Sequence, residues 1–496
     1  MSCKPKLFPA ILIALAAAAV FAACSGKGQN ISDGQTTENT DRPIEANDLS
    51  GPARPDLPEV NYNGEAFTFL VNEFEGKNWG SYEIYAEEET GDAINDAVYR
   101  RNRTVEAKLN IEIKEVRAKY LDTVNFTKKS VAAGDGAYDC VMPRMWSAAN
   151  MASEGYLLSL DMLPYVKLSN PWWDQNANGM SIGGRLFFTV GDLMVMDKDS
   201  LFIVMFNKKV ASEGGVENLY GLVRENKWTM EKFYSIIKEA ARDLDGNGAI
   251  GFDDVAGLLS SSWCISFLYY GTGETVAGKD ENDYPYLRMN NERGIRAVEK
   301  SYEIIADKSA TLIGETLAAG GMADPYNAGI NKMFQEDRGL FMLMQICYIL
   351  ETRTMDSDFG ILPTPKLDEK QDMYYTPINP VATSCIAVPA TAADRERTSV
   401  VLEALSAESR YTLMPAYYDV TITNKMIRDE ESAEMLDLIL ASRTFDLGFI
   451  FNWGALGDLP TTLYPKGADF VSAYEKFEPR ALKEMEKTIE AFRNLN

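Results

Sequence analysis

The sequence predicts an α/β protein organised as two domains or lobes. Three observations carry this. A chain of 496 residues exceeds one ordinary hydrophobic core, which stops growing near roughly 250–300 residues. From residue 64 onward, strand-type and helix-type patterns alternate as β-α-β-α-β, the signature of an α/β layer with right-handed crossovers. Strand and helix patterns return at 339–390, before a terminal block at 391–496 that reads mostly helical.

Each element follows from its side-chain pattern. "EAFTFLV" is rich in β-formers, and "IEIKEV" alternates at period two. Between them, "DAINDAVYRRNRTVEAKLN" aligns Ile94, Val98, Val105 and Leu109 on one helical face, with Asp92 near its start. A helical stretch around 121–133 leads to "YDCVMP", a continuous apolar run suited to the interior of a parallel sheet. The segment 184–210 has strand-like runs punctuated by Gly and Asp. In the terminal block, "RTSVVLEALSAES" and "VSAYEKFEPRALKEMEKTIEAF" are the clearest helices.

Composition removes several function classes. Hydrophobic residues at 46% and charged residues at 25% suit a soluble globular protein. With 73 acidic against 49 basic residues and a net charge of −24, the surface repels phosphate backbones, so no nucleic-acid partner is expected. Histidine is absent. That excludes the commonest general base, the usual zinc ligand and every Ser-His or Cys-His pair. Two-carboxylate catalysis survives this filter, as does non-catalytic binding. The acidic clusters Glu87–Glu89, Asp253–Asp254 and Glu430–Glu431 read as solvated turns or helix starts. No nucleophile elbow, phosphate loop or metalloprotease helix is present, and the protein is expected not to be an enzyme.

The first residues form an address. Lys4 and Lys6 precede the apolar run "LFPAILIALAAAAVFAA" at 7–23, marginal in length for a spanning helix and ending in small residues. "FAAC" at 21–24 resembles a bacterial lipobox, with Phe21 where Leu is usual. The resemblance implies a signal peptide over 1–23 and lipidation of Cys24. Residues 24–57 have almost no large apolar side chains and read as a disordered tether. The protein is therefore expected to be exported and held to the membrane by acyl chains, facing outside. Cys140, Cys347 and Cys385 lie in apolar runs and are expected to be buried free thiols.

One motif points to a cation. "DLDGNGAIGFDD" at 243–254 has the spacing of an EF-type calcium loop. Asp243, Asp245 and Asn247 occupy positions 1, 3 and 5, Ala249 offers its carbonyl from 7, and Asp254 stands at 12 where Glu is usual. Gly248 supplies the tight turn at 6. Thr229 is placed to cap the incoming helix, with Phe233, Ile236, Ile237, Ala240 and Leu244 on one face. The outgoing "VAGLLSSSW" is a poor helix, and no second loop exists, so a structural calcium clip is expected rather than a sensor.

Several stretches resemble the extracellular solute-binding proteins of ABC importers, notably the sugar-binding branch that includes maltose-binding protein. They are "AYDCVMPRMWSAANMASEGYLLSLDML" at 137–163, "NKWTMEKFYSIIKEA" at 226–240, "MFQEDRGLFMLMQICYI" at 333–349 and "FGILPTPK" at 359–366. The resemblance implies a two-lobed periplasmic-binding-protein-like fold with a ligand cleft between two α/β lobes. It gives residues 58–165 and 335–390 to the first lobe, and 166–334 and 391–496 to the second. It implies a monomer that passes a small ligand, a sugar or oligosaccharide, to a membrane permease. The alternatives are a peptide or other polar metabolite as ligand, or an exported carbohydrate-active enzyme.

A sugar site needs flat aromatic faces and fixed planar polar groups. Trp79, Trp146, Trp172, Trp173, Trp263 and Trp453 fall at expected strand ends or loops. Trp79 follows the first strand, and Arg144 and Trp146 follow "YDCVMP", at strand ends where open α/β sheets bind ligands. The expected ligand contacts are Trp79, Arg144, Trp146, Trp172, Tyr348, Asn379 and Trp453, with Ser384 as a further hydrogen-bonding group.

Overall fold

In the computed structural model, residues 53–73, 80–352, 355–418, 429–464, 467 and 469–495 are described. The expected signal segment, Cys24, nearly all of the tether and Trp79 lie outside them. Among the described residues, no helix is long and apolar enough to cross a membrane.

The alternating patterns at the start of the body form the first sheet. Strands β1 (Glu65–Asn72) and β2 (Ile111–Ala118) pair in parallel from Glu65↔Ile111 to Asn72↔Ala118. The helix between them, α1 (Ala93–Leu109), starts where the Asp92 carboxylate accepts from the N–H groups of Ile94 and Asn95 at 3.1 and 3.0 Å. It ends where Asn110 turns left-handed at φ 50. Val98, Val105 and Leu109 are buried along its inner face, each contributing about 1.5–3 kcal/mol by leaving water. Helix α2 (Tyr120–Ala133) leads to β3 (Cys140–Met142), parallel to β1 and buried throughout. Helix α3 (Met145–Ser153) follows directly. Strand β4 (Phe188–Thr189) and the late β13 (Ile386–Ala387) complete the sheet in the order β2-β1-β3-β13-β4.

The second sheet has the order β11-β5-β10-β6-β9. Its strands are β5 (Phe202–Asn207), β6 (Ala256–Ser260), β9 (Thr311–Ile313), β10 (Gly339–Gln345) and β11 (Phe359–Leu362). Strand β10 is parallel to β6 and antiparallel to β5. The short strands β7 (Ala277–Lys279) and β8 (Pro285–Leu287) form a separate hairpin. Helix α4 (Met230–Ala240) is capped by Thr229, whose hydroxyl accepts from Lys232 N–H at 3.3 Å. Helices α5 (Cys264–Gly271) and α6 (Glu292–Ala306) pack together beside this sheet.

The sheets divide the chain differently from the expected boundaries. Strands β10 and β11, expected in the first lobe, are built into the second sheet, and β4 belongs to the first. Helix α7 (Arg395–Tyr411), expected in the second lobe, packs on α1. The reason is pairing: the β10 run "GLFMLMQ" is buried at every position, and its place is set by β5 and β6 on either side. The run itself does not encode which strands those are.

The chain passes between the sheets near buried charged groups. After β4 comes a one-turn helix at Met196–Asp199, all four residues buried. Strand β12 (Thr376–Pro377) precedes β13 and pairs in parallel with β14 (Arg443–Thr444). Strand β14 follows helix α8 (Glu430–Ala441), which packs on β11. Arg443 ties these passages together through ion pairs to Asp174 at 2.9 Å and Asp197 at 3.0 Å. Beside it, the Asp199 carboxyl accepts from the Tyr417 and Tyr82 hydroxyls at 2.7 and 3.0 Å. Burial pushes Asp199 up to about 6. The four cysteines of the body, Cys140, Cys264, Cys347 and Cys385, are free and buried.

Candidate functional site between the sheets

The strands of both sheets that end near the passages expose a cavity of about 270 Å³. Strand β3 ends at Met142, and two residues later Arg144 reaches the cavity as the residue before α3. Strand β6 ends at Ser260 and is followed by Ser261 and Trp263; β10 ends at Gln345 and is followed by Tyr348. Asn379, Val381 and Ala382, between β12 and β13, form one wall. Phe202, Phe267, Tyr326 and Met344 supply apolar surface. Ligands of open α/β sheets bind outside the carboxyl ends of strands, and this cavity has that placement.

The side chains are held by local geometry. The Arg144 guanidinium lies over the Tyr120 ring at 4.4 Å, which keeps it extended. Phe202 and Phe267 stack with centroids 3.4 Å apart, making a flat floor. Trp263 precedes the first turn of α5 and is 44% exposed, a large indole left in reach of solvent. The Glu315 carboxylate accepts from the Ser261 hydroxyl and from the Ser262 N–H and hydroxyl, which pins this turn. Burial, then the Glu315 charge, pushes Tyr326 up to about 12, and burial raises Tyr348 as well. Both phenols therefore stay protonated, able to donate and accept. Aromatic faces beside an arginine, an asparagine and a glutamine can hold the C–H face and the hydroxyls of a polar ring.

Of the expected contacts, Arg144, Tyr348 and Asn379 come together here. Trp172 and Trp453 do not. Trp172 is 1% exposed within the core. Trp453 is 2% exposed, stacks on Phe451 at 5.1 Å and donates its indole N–H to the Thr488 hydroxyl at 2.9 Å. Trp172 lies in a turn and Trp453 opens the 3-10 turn Trp453–Ala455, and both fold inward, so a loop position in sequence became a core position. Trp146 is half-buried in the first turn of α3 and does not line the cavity. Ser384 is buried and accepts from the Asn72 amide at 3.0 Å. Trp79 lies outside the described residues. The sequence placed Trp263 at a strand end without making it an expected contact, and it gave no sign of Tyr326, Gln345 or the Phe202–Phe267 floor. Trp263 had a signal, as a tryptophan directly after a strand and three serines.

The Asp243–Asp254 segment is a separate feature. Its ends are joined by backbone pairing of Arg242 with Val255, at 2.9 and 3.1 Å. Asp243 accepts from the N–H groups of Gly246 and Gly248 at 2.7 Å each, and these hydrogen bonds, that of Gly248 foremost, hold its carboxyl below the usual range. Asp254, 3% exposed, accepts from Leu244 and Gly251 N–H at 2.8 and 2.7 Å. Gly246 and Gly248 sit at φ 74 and 86, where a side chain would be strained. Carboxylate oxygens of Asp243, Asp245 and Asp254 lie within 4.8 Å of one another, an oxygen-only set of the kind hard cations use. Asn247 accepts from Ala249 N–H at 2.9 Å, and Ile250 N–H donates to the Lys308 carbonyl at 2.7 Å. One expectation changes: helix α4 stops at Ala240, leaving Leu244 exposed rather than on its inner face. The outgoing segment, expected to be a poor helix, is strand β6.

The fold and this cavity define a class: two α/β units with a solute-sized cavity between them, the periplasmic-binding-protein fold. Solved structures agree. A cyclo/maltodextrin-binding protein complexed with maltotetraose superposes with a TM-score of 0.56 at 13% identity, covering 86% of this chain and 97% of its own. An ABC substrate-binding protein from Listeria monocytogenes, in complex with cycloalternan, gives 0.55 at 12% identity, covering 85% and 99%. UgpB from Mycobacterium tuberculosis, in complex with glycerophosphocholine, gives 0.56 at 15% identity, covering 79% and 95%. No protein-family model matches the chain, and a search of curated proteins finds no match.

Proposed function

We propose that the protein is the solute-capturing lipoprotein of an ABC importer, binding a sugar or oligosaccharide between its lobes and delivering it to a membrane permease. The observation that carries this reading is the cavity at the strand ends of both sheets, with Trp263, Tyr326 and Tyr348 beside Arg144, Gln345 and Asn379. Neighbours of the same fold hold maltotetraose, cycloalternan and mannotriose, which supports a carbohydrate ligand. Affinity then arises from stacking, hydrogen bonds and closure over the ligand, with no bond made or broken. The protein acts as a monomer outside the cell, tethered through lipidated Cys24. Calcium at Asp243, Asp245, Asn247, Ala249 and Asp254 serves as a structural clip, with the carboxylates as hard-cation ligands.

Tryptophan fluorescence titrated with mono- and oligosaccharides tests the reading, since Trp263 borders the cavity. A saturable change with at least one sugar is expected. Silence across the panel overturns the carbohydrate assignment. The second reading, a polar metabolite, has one point in its favour: a neighbour of this fold holds glycerophosphocholine. That compound belongs in the same titration.

A further inference from the structure

Strand β6 ends at Ser260 and β9 at Ile313, and these two residues are partners in the parallel register of the second sheet. The segments that leave the two strands therefore start side by side. One is the turn Ser261–Ser262, which delivers Trp263 to the cavity between the sheets. The other is the short helix Gly314–Ala319, with Glu315 in its first turn.

One carboxylate oxygen joins them. Glu315 Oε1 accepts from the Ser261 hydroxyl at 3.2 Å, the Ser262 N–H at 3.1 Å and the Ser262 hydroxyl at 2.7 Å. Oε2 adds only a second contact to the same N–H, at 3.2 Å. The Ser261 hydroxyl oxygen accepts in turn from the Trp263 N–H at 3.2 Å, so Glu315 reaches the backbone of the tryptophan through one serine. The helix start has no room to slide on its other side. A methyl group on Gly314 would come within 2.5 Å of the Tyr326 ring, and the turn Pro325–Asn331 that carries Tyr326 packs on this helix.

The indole itself is held by little else. Trp263 is 44% exposed, and among the described residues its ring has neither a hydrogen bond nor an aromatic contact. Trp453, by contrast, is fixed by the Phe451 ring and the Thr488 hydroxyl. The backbone turn therefore sets where the Trp263 ring can reach. Glu315 has only these serine donors and, among the described residues, no ion-pair partner, which suits a side chain that orients a turn.

We propose that Glu315 is a positioning residue for ligand capture: its Oε1 holds the Ser261–Ser262 turn so that Trp263 is presented to the cavity between the sheets. This rests on the reading of that cavity as the ligand site. With the turn held, the ordering that an exposed loop tryptophan would undergo on binding is already complete in the free protein, and affinity rises by that preorganisation.

The test labels the full chain with 5-fluorotryptophan, which gives one fluorine NMR signal for each of the seven tryptophans. Trp263→Phe identifies the signal of Trp263. In Glu315→Ala that signal is expected to shift or broaden, while those of the buried Trp172, Trp228 and Trp453 stay in place. Glu315→Gln keeps an oxygen in the Oε1 place and is expected to restore the wild-type signal. Ser262→Ala removes the shortest of the three bonds and is expected to move the Trp263 signal less, which keeps the test open if Glu315→Ala does not fold. Calorimetry with maltotetraose and mannotriose reads the consequence. Affinity is expected to fall about tenfold in Glu315→Ala, to recover in Glu315→Gln, and to show no further loss when Glu315→Ala is added to Trp263→Ala. A Trp263 signal that ignores both Glu315→Ala and Ser262→Ala overturns the proposal. So does a glutamine variant as weak as the alanine one, or a change that moves the buried tryptophans equally. If the wild-type protein binds neither sugar, the carbohydrate reading loses its support, and the fluorine signals still decide whether Glu315 positions Trp263.

Discussion

The cavity between the sheets and the Asp243–Asp254 loop both gather polar side chains, yet they are assembled in opposite ways. The loop consists of twelve consecutive residues whose carboxylates are oriented by their own backbone N–H groups. The cavity draws on residues from Arg144 to Ala382, brought together only when two sheets and their connecting passages are in place. A local motif carries its geometry with it, so it can be grafted onto a fold as a fastener. A site made by long-range packing can change size when the packing changes, which is what capture by closure requires.

Substitutions can break or sharpen this contrast. The largest effect is expected from Trp263→Ala combined with Tyr348→Ala. Ligand affinity should fall roughly 100-fold, about 2.8 kcal/mol, as expected for aromatic anchors. The melting temperature should fall only modestly, because Trp263 is 44% exposed and Tyr348 is half-buried. A large loss of stability with affinity kept would place these rings in the core instead.

Asp199→Asn probes the passages between the two sheets. Folding raises the Asp199 pKa to about 6, so the folded state holds its proton more tightly than the unfolded chain. Its contribution is fully present below the unfolded carboxylate value near ~4 and is lost as pH rises through about 6. Wild-type stability from this group should therefore fall by on the order of 2 kcal/mol between pH 4 and pH 7. Denaturant titrations of Asp199→Asn should show that slope reduced; an unchanged slope assigns it to other carboxyls. Asp446, raised to about 6, and Glu83, raised to about 7, both chiefly by burial, act in the same direction and remain in the variant.

Asp254→Ala should cost about 1–2 kcal/mol, because two backbone donors lose their acceptor. Ligand affinity, measured on folded protein, should be unchanged. A loss of binding would show that loop and cavity are not separate. The smallest effect is expected from chelation: if calcium clips the loop, removing it should lower the melting temperature by a few degrees and leave binding intact. No shift in Tm on adding calcium to chelated protein would remove the clip.

Much of the fold was readable in advance because strand and helix patterns are local. Period-two alternation located β2, a continuous apolar run located β3, and Asp92 and Thr229 marked helix starts that the structure caps with those residues. Arg144, Tyr348 and Asn379 were accessible for the same reason, since each follows or borders an expected strand and strand ends are where such folds bind. Trp172 and Trp453 were misread because a loop position does not say whether the loop turns inward. Trp453 is buried against Phe451 and Thr488, and although the C-terminal helix Phe470–Asn494 is legible in its own pattern, that pattern does not say that the helix packs on Trp453.

The sequence by itself determined the alternation of elements, the acidic surface, the absence of histidine chemistry and the twelve-residue loop. All of these depend on residue identity or on neighbours a few positions apart. Tertiary structure alone decided that β10 and β11 belong to the second sheet, that α7 returns to the first, and that Trp263 faces the cavity while Trp172 and Trp453 are buried. Those outcomes depend on which apolar faces meet, and a buried run offers the same surface to every possible partner until the rest of the core has chosen one.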